Sequence, residues 1–398
     1  MGRGMAAYAV ALLLLASVPG NNAHAQTLNT LYNFTGGSDG SGPNDGMVFD
    51  AVGNLYSTTL AGGISTDKGG NGVVFELSPA GGGVWTETVL YEFAGGTADG
   101  YWPFYGVVFD KNGNLFGTTA YGGASGQGTV FELSPKSGGG WTETVLYNFT
   151  GGSDGALPMT GVILDAAGNL YGVTVTGGAA QRGTAFQLSP AGGVWTFTLI
   201  QTFSHTPSGP LVIDPSGRLF GTTQNGGTAG QGSVYRLTNS PGGWKFRTLY
   251  SFLGGSDGSD PQTGVTLVPN GHLVGVTGGG GSKSTGTAFE LVPGAGGVWT
   301  ENQLYSFGTR KADPIYPSRP LTVGLSKGLW GASVSGGNAG SGGVFSLTHS
   351  SSGWQERNVF ESGIAGPVAI SAVDSSGSLF GPGFGGTYGA GSVVQLVP

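Results

Sequence analysis

Few side chains in this sequence can do chemistry, and their spacing is uneven. There is no cysteine, so neither disulfides nor thiolate metal sites can form. Of the four histidines, His24 lies in an apolar N-terminal run, and His205, His272 and His349 are scattered without zinc-ligand spacing. No Gly-x-Ser-x-Gly elbow occurs. Three stretches stand apart from an otherwise repetitive chain: Tyr101-Trp102-Pro103-Phe104-Tyr105, Ser204-His205-Thr206-Pro207-Ser208, and Gly308 to Arg319. The last places Arg310, Lys311 and Arg319, together with Tyr316, in a chain of net charge −7. Exposed aromatic rings stack on sugar faces, and guanidinium or ammonium groups meet carboxylates and sulfates. Trp102, Phe104, Tyr105, Arg310, Lys311, Tyr316 and Arg319 are therefore the candidate ligand-binding residues. The matching partner is a polysaccharide or a cell-surface protein, with no cofactor and no metal. If the site is catalytic, lyase chemistry on an acidic glycan fits best, with His205 and Tyr105 as base and acid and Arg319 neutralising the uronate. A glycosidase is disfavoured, since no acid pair stands outside the repeats.

The elements that must position these residues recur along the chain. Gly106 to Phe149 parses into four short strands. Gly106–Asp110 is followed by a tight Asp-Lys-Asn-Gly turn, Leu115–Thr119, a glycine-rich connection, Thr129–Leu133, and the Thr- and aromatic-rich Trp141–Phe149. The leucine of the second strand and its large neighbour return as Leu55-Tyr56, Leu115-Phe116, Leu170-Tyr171, Leu219-Phe220, Leu273-Val274, Leu329-Trp330 and Leu379-Phe380. Trp85, Trp141, Trp195, Trp244, Trp299 and Trp354 mark the outer strand and read as packing residues. Repeats of this length with four strands each predict an all-β, seven-bladed propeller with four antiparallel strands per blade. The seventh repeat stops after its third strand, while Thr30-Leu31-Tyr32-Asn33-Phe34 is an unused outer strand. Pairing them removes two open edges, so the N-terminal strand should complete the last blade and close the ring.

In such a blade the outer-to-inner and second-to-third connections share one face, which we take as the ligand face. Recurrent Asp50, Asp110, Asp165, Asp214 and Asp374 read as turn residues on the opposite face. Blades five and six depart there, with Val268-Pro269 and Gly324-Leu325. Asp39, Asp99, Asp154 and Asp257, each before glycine, read as turns on the ligand face, with a Ca²⁺ or polar-ligand carboxylate as the sharper alternative.

Residues 1–25 read as a signal peptide, with Arg3, the apolar run Met5 to Val18 and the small-residue site Ala23-His24-Ala25. The remainder, 26–398, is expected to be one exported, secreted or periplasmic domain, monomeric and without a transmembrane segment after cleavage. Glycine is abundant, at 83 residues, yet 11% aromatics and in-phase β-branched residues argue for a packed fold. The acidic balance argues against nucleic acid. The pattern LYxF, GGSDG, GNLYGTT and GTVFEL resembles the GloVer repeat of the choice-of-anchor tandem-repeat proteins, over essentially all of residues 27–398. That resemblance implies export and tandem repeats and carries no catalytic residue. It also implies a terminal surface-sorting segment, which is not expected in a chain ending at Pro398.

Overall fold

The computed structural model describes residues 27–63, 69–325, 328–351, 353–361, 369–383 and 385–397. The signal peptide expected over 1–25 lies outside them. Among the described residues, seven antiparallel sheets follow one another around a ring, which makes the protein a seven-bladed β-propeller. In the second blade Val108–Phe109, Leu115–Thr119, Thr129–Pro135 and Trp141–Asn148 run from inside to outside. Each sheet is sandwiched between two neighbours, so its alternating side chains are apolar on both faces: Val130, Phe131 and Leu133 are all buried. Gly117 pairs with Phe131, whose ring lies where a β-carbon would stand, 2.5 Å away. The glycine is there for space.

The hairpin aspartates are turn residues. Asp110 Oδ1 accepts the amides of Asn112 at 2.8 Å and Asn114 at 2.9 Å, and Gly113 takes φ +85°. The aspartates on the other face are also consumed by their own loops. Asp154 accepts Thr150 N at 2.8 Å and the Tyr147 hydroxyl at 3.1 Å; Asp99 accepts Ala94 N at 2.6 Å and the Tyr91 hydroxyl at 2.9 Å. The turn reading therefore explains them without a ligand. Asp313 plays the same part, taking the Tyr305 hydroxyl at 2.8 Å, although no Asp-Gly pair marks it in the sequence.

Ring closure occurs as expected. Thr27–Asn33 pairs antiparallel with Ser392–Val397, from Thr27↔Val397 to Asn33↔Ser392, as the outer strand of the seventh blade. Neighbouring blades are also joined by a glycine–proline contact. Gly128, at φ +98°, ends the second-to-third connection of the second blade, and a β-carbon there would lie 2.6 Å from Cδ of Pro158 in the next blade. Gly72–Pro103, Gly183–Pro207, Gly232–Pro261, Gly286–Pro317 and Gly391–Pro43 repeat it, the last across the closure.

Candidate functional site

Each repeat carries a proline near its inner strand, and in four blades a non-glycine residue preceding it takes positive φ. Trp102, Leu157, Asp260 and Tyr316 have φ of 57°, 56°, 60° and 56°. A residue before proline prefers extended backbone, and a non-glycine residue here loses about 1–2 kcal/mol. Hydrogen bonds to the preceding blade hold them: Trp102 N donates to Asn71 O at 2.9 Å, Leu157 N to Gln127 O at 3.0 Å, Asp260 N to Gln231 O at 2.9 Å and Tyr316 N to Thr285 O at 2.8 Å. Interblade docking thus sets a variable side chain on the loop face in four of the blades. Strain of this kind concentrates at functional sites.

The second blade builds most on this plan. Gly100–Tyr101 and Tyr121–Gly122 form a small extra ribbon above it. The ribbon stacks Tyr101 on Tyr121 with centroids 5.4 Å apart and sets Trp102 edge-on to Tyr121 at 5.5 Å. Trp102 remains 40% exposed, and Tyr316 is 44% exposed at the equivalent place in the sixth blade. Sequence reasoning found Trp102 and missed Tyr101 and Tyr121 as its partners. The signal available was Tyr121 itself, an aromatic left unassigned between the strand ending at Thr119 and the glycine-rich connection beginning at Gly122. Phe104 is half-buried two residues on.

Two residues past each proline lies an inner position occupied by Asp45, Tyr105, Thr160, Gly209, Thr263, Arg319 and Ala369. Here the blades meet. Arg319 Nε lies 3.0 Å from Asp45 Oδ2, and Ser371 donates to Asp45 Oδ1 at 2.9 Å. Tyr105 packs on the backbone of Gly46 in the first blade and Gly161 in the third. Its hydroxyl is pushed above the ordinary tyrosine range by burial and then by Asp45, with Arg319 opposing. The structure therefore brings Tyr105 and Arg319 around one carboxylate. The Thr160 and Thr263 hydroxyls are buried at corresponding positions, with no hydrogen-bond partner among the described residues.

The remaining candidates lie elsewhere. His205 is exposed in the fourth blade; its Nδ1 is 3.0 Å from Ser204 Oγ and its ring covers Gly226. Arg310 was expected to be a cation available to a ligand, and its side chain is 53% exposed. It nonetheless bonds Asp313 at 3.2 Å, pairs with Glu356 and lies over the Tyr305 ring at 5.4 Å. Two buried carboxylates recruit it into its own blade. Lys311 beside it is exposed.

A ring of seven four-stranded blades belongs to the β-propeller class. Within that class, the chain belongs to the Gloeobacter/Verrucomicrobia repeat family, whose model matches residues 21–211 and 206–398. Among curated proteins none matches. The fold is similar to the extracellular domains of two hybrid two-component systems from B. thetaiotaomicron. One has TM-score 0.52 and 14% identity over 94% of this chain and 41% of that one; the other has 0.55 and 11% over 92% and 39%. A puromycin-hydrolysing peptidase from Mycobacterium tuberculosis is also similar, at TM-score 0.56 and 11% identity over 90% of this chain and 51% of that one. The chain thus spans about two-fifths of the first two structures and half of the third. At these identities the likeness is one of fold.

Proposed function

We propose that this is an exported propeller that binds a glycan on its loop face without transforming it. The observation that carries the reading is the Tyr101–Trp102–Tyr121 cluster, in which a strained backbone holds an indole half-exposed beside two stacked phenols. Rigid aromatic surfaces of this kind match the apolar faces of sugar rings and lose little entropy on binding. Tyr316, presented the same way in the sixth blade, offers a second ring, and two separated rings suit a polymer better than a small metabolite. Export is supported by the Arg3, Met5 to Val18 and Ala23-His24-Ala25 pattern and accords with the extracellular setting of the similar propellers. The lyase alternative needs a free Arg319 and a base beside Tyr105. Arg319 is paired with Asp45, and His205 makes its contacts within its own blade, so binding is the better supported reading.

The test is calorimetry on a panel of neutral and acidic oligosaccharides, with product release followed separately. Trp102→Ala and Tyr121→Ala should each weaken binding about tenfold, equally at low and high salt. Unchanged affinity in both variants would remove the site from this mouth. Release of unsaturated uronate products by the parent would replace binding with the lyase reading.

A further inference from the structure

On the opposite face, consecutive blades leave clefts beneath the hairpins, and of three such clefts one differs in chemistry. Between the second and third blades a cleft of about 440 Å³ is lined by Asp110, Lys111 and Asp165, and between the fourth and fifth one of about 490 Å³ includes Asp214 and Arg218. Between the fifth and sixth blades lies a third, of about 430 Å³, lined by Val268, Pro269, Val274, Val323, Leu329 and Trp354, with Asn270 and Glu290 as its polar groups. Its apolar character has a local cause: Val268 and Gly324 stand where other blades place the hairpin aspartate.

A second departure coincides with the first. The residue after the second-strand leucine is aromatic in six repeats and valine only at Val274. In four of those six repeats the ring meets the outer-strand tryptophan of the next blade edge to face: Phe116–Trp195 at 5.7 Å, Tyr171–Trp244 at 5.9 Å, Phe220–Trp299 at 6.2 Å and Phe380–Trp85 at 6.2 Å. Trp354 faces Val274 instead, and the ring it does contact is His349 of its own blade. The protein therefore carries its own template for what fits the cleft. In the first blade the corresponding ring is Tyr56, whose hydroxyl lies 3.2 Å from Asp50. Burial, and next the Glu76 carboxylate, push that hydroxyl above its ordinary value, so Glu76 adjoins it. Glu76 corresponds to Glu290, which in the fifth blade is held at 2.7 Å by His272 Nδ1 and half-exposed at the cleft.

We propose that the cleft between the fifth and sixth blades binds a small phenol, its ring seated edge to face on Trp354 in the place Val274 leaves open and its hydroxyl donating to Glu290. Ring–ring geometry favours an aromatic over an aliphatic occupant, and a pocket of this size with one convergent acceptor suits a molecule of one or two rings. This site is independent of the glycan reading and lies on the other face.

The experiment titrates the full chain with phenol, 4-methylphenol and cyclohexanol, followed by calorimetry and by Trp indole NMR signals. The phenols should bind saturably and shift the Trp354 indole, with cyclohexanol at least tenfold weaker. Val274→Phe restores the ring of the other blades and should abolish phenol binding while raising the melting temperature. Val268→Asp restores the carboxylate that takes the Tyr56 hydroxyl in the first blade and should raise affinity for phenol about tenfold without raising that for toluene, a result that stands even if the phenylalanine variant fails to fold. Glu290→Gln should cost phenol about tenfold and leave toluene unchanged. No saturable phenol binding, equal affinity for cyclohexanol, binding untouched by a folded Val274→Phe variant, or a phenol-to-toluene preference unmoved by Val268→Asp would overturn the proposal.

Discussion

Arg319 of the sixth blade and Asp45 of the first are an ion pair at 3.0 Å that reaches across the composite seventh blade between them. Asp45 is buried, at 7% exposure, whereas the arginine side chain keeps about a third of its surface. Removing the arginine leaves a desolvated carboxylate with Ser371 as its described donor. Arg319→Ala should therefore cost about 2 kcal/mol in urea unfolding, while Asp45→Asn on that background should restore part of the loss. If Arg319→Ala unfolds like the parent, the pair is not structural.

Closing the ring with the N-terminal strand makes that strand indispensable. Deleting residues 27–33 would expose the whole edge of Ser392–Val397 and uncover Val393 and Val394, buried under the closure. The truncated chain should melt at least 10 °C lower and form soluble oligomers by size exclusion. A monomer with parental melting would contradict the closure's energetic role.

Two glycines of similar dihedral separate strain from space. Gly113, at φ +85°, has open surroundings, so Gly113→Ala should cost about 1 kcal/mol. At Gly128, φ +98°, a β-carbon would meet Thr119 O at 2.5 Å as well as Pro158, so Gly128→Ala should cost about 3 kcal/mol or more. Equal costs in denaturant melts would deny the glycine–proline contact its role in blade docking.

Four outer-strand glutamates, each two residues past its tryptophan, contribute to the pH dependence. Glu356 is pushed up to about 7 by burial, with Arg310 opposing, and the other three share one pattern. Glu87, Glu143 and Glu301 are each pushed up to about 7, first by burial and then by the neighbouring Asp39, Asp99 and Asp257. Their pKa in the folded chain exceeds the unfolded value near 4.5, so the native state binds more protons between pH 4.5 and 7. Their contribution is complete below pH 4.5 and is lost as pH rises through 7. Stability should therefore fall across that window. Glu143→Gln should flatten the slope and add about 1 kcal/mol at pH 8, measured by urea unfolding at pH 5, 6, 7 and 8. A slope unchanged in the triple Gln variant would assign it to other groups.

The blade repeat, the turn aspartates and the ring closure were legible in the sequence because each rests on local chemistry. Alternating apolar residues make a strand, Asp-x-x-Gly makes a reversal, and a missing strand at one end with a spare at the other demands pairing. Trp102 and Tyr105 were also legible as departures from the repeat. Their partners depended on the ring itself. Curvature sets Arg319 against Asp45, and an extra ribbon folds Tyr121 back onto Trp102, although nothing in the spacing of either pair signals contact. Arg310 shows the same limit from the other side: a charge read in the sequence as available to a ligand is paired with Glu356, 46 residues on in the outer strand of the same blade. Val274 reads in the sequence as one conservative apolar exchange; only packing against Trp354 of the next blade turns it into a cleft, because cavities arise between elements that local pattern describes one at a time.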